Sequence, residues 1–182
     1  MTDLKLINAC KKSDEGAQEE LFLKFRRYAM GVCLRYTRSE EEARDILQEG
    51  FIKVFKSIKQ LKDPNQLKSW IRKIMVNQCI NHYHKNLKFD HHEIIDELEI
   101  SDDRHQDVLS DISTEEILKL INKLPDGYRI VFNMYAIEGY SHDEIAEKLE
   151  ITEVTSRTQL FKARRILKKQ LTLNHHEAKR LI

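Results

Sequence analysis

Proline occurs twice in this chain, at positions 64 and 125, and glycine only five times in 182 residues. Proline lacks the donor that a helical ladder needs, so each one marks a break or a first turn. So few breakers argue against a collagen-like, linker-dominated or turn-rich all-β chain and for long helices. No apolar run approaches the roughly eighteen residues a membrane span requires, so no membrane insertion is expected. Met1-Thr2-Asp3-Leu4-Lys5 lacks the basic then apolar stretch of a signal peptide. Cys10, Cys33 and Cys79 share no metal-ligand spacing and read as reduced thiols. The expectation is an all-α, cytoplasmic protein.

A net charge of +1 hides a strong sorting along the chain. Residues 1–88 carry 18 Lys/Arg against 11 Asp/Glu, residues 89–116 carry one against 11, and residues 117–182 carry 12 against 8. Two basic blocks flanking an acidic connector suggest two modules sharing one polyanionic partner, although uneven surface charge would look the same. The connector, about residues 88–111, has too few apolar residues for a core of its own and reads as a loop or weak helix that is flexible in the free protein.

In the first block, Ala17, Leu21, Phe25, Tyr28, Ala29 and Val32 recur at helical spacing between residues 16 and 35. A second helix should open near Ser39, with Glu40, Glu41 and Glu42 at the positive end of its dipole. Its core stripe is Ala43, Ile46, Leu47, Phe51, Val54, Phe55 and Ile58. Asp45, Gln48, Glu49 and Ile52 fall off that stripe as one exposed ridge, for which solvated charge is the ordinary explanation. Pro64 ends the helix, and a third should run over about residues 66–84, burying Leu67, Trp70, Ile71, Ile74, Met75 and Cys79. Lys73, Asn77, Asn81, His84 and Lys85 share another face, with Lys68 and Arg72 beside it. Amides can pair with base edges and cations neutralise phosphates, so this stripe is either a nucleic-acid face or a solvated one. Trp70 could stack on an unpaired base, but a lone Trp on an apolar stripe is ordinarily core.

In the last block, Ser113 with Glu116 suggests a capping box ahead of Ile117, Leu118, Ile121 and Leu124. A turn at residues 124–127 leads to a face of Ile130, Val131, Met134 and Tyr135, closed by Gly139 as a C-terminal cap. Ser141 and Glu144 make a second capping box for a short helix to Leu149, with Ile145, Ala146 and Leu149 inward. Thr152 should then cap a final helix reaching about Leu171. A short helix, a tight turn and a long basic helix form the helix-turn-helix geometry that lays the second helix in a major groove. Residues 155–169 hold six basic residues and no acid. Arg157 can bond a guanine edge twice, and Ser156 and Thr158 can reach bases or phosphates.

The segments Asp45-Ile46-Leu47-Gln48-Glu49-Gly50-Phe51, Trp70-Ile71-Arg72-Lys73-Ile74-Met75-Val76-Asn77 and Tyr140-Ser141-His142-Asp143-Glu144-Ile145-Ala146, in that order, resemble the sigma factors of bacterial RNA polymerase. The resemblance is to the extracytoplasmic-function group of the sigma-70 family. It implies two small helical domains, a region 2-like one over residues 1–88 and a region 4-like helix-turn-helix one over 113–182, joined by an acidic linker over 89–112. It implies docking on core polymerase, at its β′ coiled coil through Asp45, Gln48, Glu49, Phe51, Ile52 and Val54, and at its β flap. Lys56, Asn65, Lys68, Trp70, Arg72, Lys73, Asn77, Asn81, His84 and Lys85 then match the part that recognises and opens the −10 element. Thr155, Ser156, Arg157, Thr158, Phe161, Lys162 and Arg165 match the part that reads the −35 element. An anti-sigma partner, a monomeric free state and no cofactor or catalytic chemistry are further implications. The acidic segment, net −10 over residues 89–116, is expected to mimic nucleic acid in polymerase channels. The chain departs from the family at Glu150 and Val154, where glycine is usual, which bears on its −35 preference.

Two other functions fit parts of the pattern. A stand-alone helix-turn-helix regulator would bind duplex DNA tightly as a free dimer. A metal or nucleic-acid enzyme built on His82, His84, His91 and His92 lacks a His-Glu-x-x-His motif or a paired cysteine motif, and all eight histidines are expected at the surface or facing DNA.

Overall fold

The computed structural model describes residues 3–89 and 114–180, and all regular structure among them is helical. The acidic connector (beyond the backbone of residue 89) and the Ser113 cap lie outside the described residues. The first module comprises α1 (Asp3–Lys11), α2 (Glu15–Leu34), α3 (Glu40–Ser57) and α4 (Leu67–Phe89). Capping follows the sequence closely. Asp14 accepts from the Ala17 amide at 2.8 Å, and Ser39 from the Glu42 amide at 3.1 Å. Asp63 accepts from the Asn65 amide at 2.9 Å and leads through a 3-10 turn, Pro64–Gln66, into α4.

The stripes of α2, α3 and α4 meet in one core containing Leu21, Val32, Ile46, Val54, Ile71 and Met75, all almost fully buried. A Cβ on Gly50 would overlap the sulfur and terminal methyl of buried Met75, so glycine leaves the room that this side chain fills between α3 and α4. Helix α1, which the sequence reading did not anticipate, closes one side of this core with Leu6, Ile7 and Cys10. Helix α4 runs five residues past its expected end, because nothing from Lys85 to Phe89 breaks a helix.

The second module comprises α5 (Thr114–Asn122), α6 (Asp126–Phe132), α7 (His142–Leu149) and α8 (Glu153–Arg180). Leu120, Ile121, Leu124, Ile130, Met134, Ile145 and Leu160 are buried, whereas Ile117 is exposed. Between α6 and α7 the chain makes a π-turn over Asn133–Ile137. It ends with Gly139 at φ 79°, as expected of a glycine cap, and with the Tyr140 amide on the Met134 carbonyl at 3.0 Å. Helix α8 continues nine residues beyond the anticipated Leu171, again with no Gly or Pro to stop it. The apolar clusters of the two modules are continuous: Ile130, Val131, Met134, Ile145, Leu149 and Leu160 belong to the same packed set as the α2–α4 core.

Candidate nucleic-acid and partner interfaces

On α3, Asp45, Gln48, Glu49 and Ile52 stand in the open, as their spacing requires. Ile52 is 53% exposed, a large apolar side chain held out in water by a rigid helix. Phe51 and Val54 are placed differently from an interface residue. Both are buried, and Phe51 meets Phe22 edge-on at 4.9 Å. They set the position of the ridge from beneath and offer a partner no surface.

Elsewhere on this module, Lys56, Asn65, Lys68, Lys73, Asn81 and Lys85 are exposed, Asn77 is half-buried, and Lys68 Nζ lies 4.7 Å from the Tyr28 ring centre. Trp70 is half-buried against the core, between the two roles weighed for it. Arg72 and His84 are the exceptions, because the second module covers them. Arg72 Nε donates to Glu138 Oε2 at 2.6 Å, and its terminal nitrogen donates to the Ile137 carbonyl at 2.9 Å. The hydrogen bond to Glu138 holds the Arg72 guanidinium above its ordinary pKa. His84 Nε2 lies 2.9 Å from the Lys148 carbonyl; a carbonyl only accepts, so Nε2 carries the hydrogen there.

The same contact zone extends to the C-terminal end of α2, where helical carbonyls lack intrahelical partners. Asn133 Nδ2 donates to the Arg35 carbonyl at 2.6 Å, and Arg129 Nε to the Tyr36 carbonyl at 3.4 Å. Residues about a hundred positions away thus cap this helix. Burial lowers the Arg129 pKa, with Asp126 opposing that shift. Arg38 also reaches Asp126 at 2.8 Å. Arg35 completes the set 3.5 Å from Glu138, whose side chain is only 6% exposed. Sequence reasoning missed Arg35, Arg38, Arg129, Asn133 and Glu138. A signal was present in Asp126, Arg129 and Asn133, a polar row at i, i+3 and i+7 beside the apolar stripe.

In the second module, Ser141 and Glu144 form the reciprocal capping box. Glu150 adopts the left-handed conformation, φ 56° and ψ 39°, in the turn to α8. Thr152 caps α8 by accepting from the Thr155 amide at 3.0 Å, and the two hydroxyls are 2.8 Å apart. Past this first turn, Arg157, Thr158 and Phe161 are exposed, with Lys162 and Arg165 half-buried beside them. Phe161 is 60% exposed and Val154 72%, so the row carries apolar as well as basic groups. Ser156 departs from the expectation. It is fully buried, with its hydroxyl 2.8 Å from His142 Nδ1, and it ties α7 to α8 instead of pointing outward. His142 is stacked on Tyr135 at 4.6 Å. His142 and His84 are therefore internal contacts, unlike the surface role expected of every histidine. Among the described residues, no group of His, Cys, Asp and Glu could hold a metal, and no helix is long and apolar enough to cross a membrane.

Comparison with known proteins places both modules. Residues 21–88 match the family description Sigma-70 region 2, and residues 114–167 match Sigma-70, region 4. The chain belongs to the sigma-70 family. It is 25% identical over 182 residues to the RNA polymerase sigma-H factor of Pseudomonas aeruginosa, with 93% of each protein covered. Over 175 residues it is 25% identical to the ECF RNA polymerase sigma-E factor of Escherichia coli, covering 90% of this chain and 91% of that protein. Among solved structures, CnrH in complex with the cytosolic domain of CnrY has a similar fold. The TM-score is 0.50 at 17% identity, covering 95% of this chain and 99% of that one. The sigma factor RpoE of Bartonella quintana, solved with the anti-sigma factor NepR, gives 0.51 at 16% identity, covering 85% of this chain and 96% of that one. In region terms, α2 to α4 are region 2 and α5 to α8 are region 4.

Proposed function

We propose that this chain is a dissociable, non-catalytic subunit that binds core RNA polymerase and directs promoter recognition, −10 opening and initiation. The observation that carries the reading is the pairing, in one chain, of a matched region 2 with an exposed ridge and a matched region 4 with an exposed basic row. The ridge of Asp45, Gln48, Glu49 and Ile52 docks on the β′ coiled coil, and region 4 engages the β flap. Region 2, within residues 1–88, offers Lys56, Asn65, Lys68, Trp70, Lys73, Asn77, Asn81 and Lys85 to the −10 strand, and Arg72 and His84 once uncovered. Unstacking a base costs a few kcal/mol, which a stacking surface and phosphate-binding cations offset. Region 4, within residues 113–182, holds the −35 duplex with Arg157, Thr158, Phe161, Lys162 and Arg165, while Thr155 and Ser156 fix the start of α8. The acidic linker passes through polymerase channels as a polyanion mimic. An anti-sigma factor controls access to the polymerase-facing surfaces, a proposal supported by the similar RpoE fold solved with the anti-sigma factor NepR.

Run-off transcription from genomic fragments with purified core polymerase tests the reading. Promoter-specific transcripts should require both core and this protein, and Ile52→Glu should abolish them by removing core binding without unfolding the chain. Tight operator binding by the free protein, with no co-elution with core, would overturn the proposal in favour of a stand-alone regulator.

A further inference from the structure

Glu138 is an acid buried between two arginines of another module, and its position is specified by the local chain. The π-turn places the Glu138 amide on the Asn133 carbonyl at 3.0 Å, and Gly139 turns the chain away immediately afterwards. Such π-turns recur at functional sites. The carboxylate is thereby fixed between Arg35 and Arg72. Arg72 spends its Nε and one terminal nitrogen on region 4. That fork is the one with which a guanidinium grips a phosphate.

We propose that Arg35 and Arg72 form a phosphate subsite for single-stranded DNA, and that Glu138 occupies it in the free chain as a carboxylate latch. The proposal rests on reading α4 as the −10 face and adds Arg35 to that face. Region 4 then inhibits region 2 within one molecule. While Glu138 is seated, the Nε–Nη2 fork of Arg72 is taken by the Glu138 carboxylate and the Ile137 carbonyl, and the His84–Lys148 contact covers a second group of the same stripe. Asn133 holds the latch in register through the Arg35 carbonyl. Core polymerase, by taking the two regions on separate surfaces, withdraws Glu138 and frees both arginines.

The latch is loosely fitted, as a reversible one must be. Arg35 Nε, Tyr36 OH and Asn133 Oδ1 are buried in this contact zone without a protein partner. Unmet buried polar groups bias a contact toward opening. Apparent affinity falls by the fraction of molecules in the open form, so the latch sets how weakly the free protein binds DNA.

The full-length protein without polymerase provides the test, with a short fluorescent single-stranded oligonucleotide of mixed sequence as probe and small-angle scattering as the measure of size. Glu138→Gln should tighten binding by about three- to tenfold and enlarge the radius of gyration. Asn133→Leu, which alters no charge, should do both as well, with helical content by circular dichroism unchanged in each. At saturating core polymerase both variants should initiate as the parent does. If neither variant alters size or affinity while the parent supports core-dependent run-off, the latch is refuted and the sigma reading stands. Tighter binding by Glu138→Gln alone, in a chain that stays compact, also refutes it, because removal of one negative charge then suffices. Loss of core-dependent run-off in the parent refutes the sigma reading instead, whatever the scattering shows.

Discussion

Arg157 and Arg72 are both arginines on the polar sides of long helices, and their surroundings differ. Arg157 is exposed near the start of α8 and pairs with Glu153, one turn away, at 3.2 Å. Such an exposed i,i+4 pair is worth a few tenths of a kcal/mol and yields readily to a guanine edge. Arg72 is held by a buried carboxylate and a carbonyl from another module. The row proposed for the −35 duplex is therefore exposed in the free chain, whereas the stripe proposed for the −10 strand is partly covered by the other module. Exposure of the two proposed faces is thus graded between the regions.

The largest effect that bears on this contrast comes from the core of region 4. Met134 is fully buried beside the π-turn. Met134→Ala should cost about 2–5 kcal/mol through lost burial and the cavity left behind. Urea unfolding followed by circular dichroism measures that loss. If the cover on α4 depends on the fold of region 4, the variant gains single-strand binding as it loses −35 duplex binding. Loss of both together would mean that the two faces are not graded.

Next in size is a comparison of base reading with backbone contact. Arg157→Ala should lose about 1–3 kcal/mol at one −35 base pair and relax the preference there. Lys73→Ala should weaken holoenzyme binding to all promoters alike and reduce the salt slope by about one. Competition binding across promoter variants and salt concentrations separates the two outcomes.

These assignments also show what was legible beforehand. Helical periodicity located the core faces of α2, α3 and α4, the ridge at Asp45 to Ile52 and the α7–α8 turn, because each depends on neighbours three or four residues apart. Helix α1 was legible in Leu6, Ile7 and Cys10 but is short, and its burial depends on a core built elsewhere. Periodicity also assigns sides without saying what covers them. Ser156 and Arg72 are polar residues on helices that carry basic faces, yet one is sealed by His142 and the other by Glu138. Contacts across some 66 residues of sequence, as between Arg72 and Glu138, leave no local signature.

A smaller effect distinguishes the two roles considered for Ser156. Ser156→Ala removes a buried hydrogen bond and should cost about 1 kcal/mol of stability while leaving −35 base preference unchanged. Its partner sets a pH dependence. Burial lowers the His142 pKa, Arg157 and Arg164 push it the same way, and Glu153 opposes them. The folded chain thus takes up this proton less readily than the unfolded one. Stability associated with His142 is complete above the ordinary histidine range near 6.5 and declines as pH falls below it. Thermal melts between neutral and mildly acid pH should show a slope that His142→Gln reduces.

The smallest effect concerns two turns of like geometry, one in each module. Ser13, between α1 and α2, has φ 64°, and Glu150, between α7 and α8, has φ 56°. A side chain in this left-handed conformation costs roughly 1–2 kcal/mol, whereas glycine loses about 0.5–1 kcal/mol more chain entropy on folding than alanine does. The balance predicts that either substitution by glycine stabilises the chain by about 0.5 kcal/mol, or about 1–2 °C in Tm for a chain of this length. Glu150→Gly also restores the residue usual in the family, so it separates a stability effect from a reading effect. The exposed row begins with Val154 and Arg157, beyond the Thr152 cap that fixes α8. A stabilised variant with unchanged −35 preference would assign the departure at Glu150 to the turn alone and leave Val154 as the residue that reaches DNA. A changed preference would show that the turn angle, and with it the tilt of α8 in the groove, is itself read by the promoter.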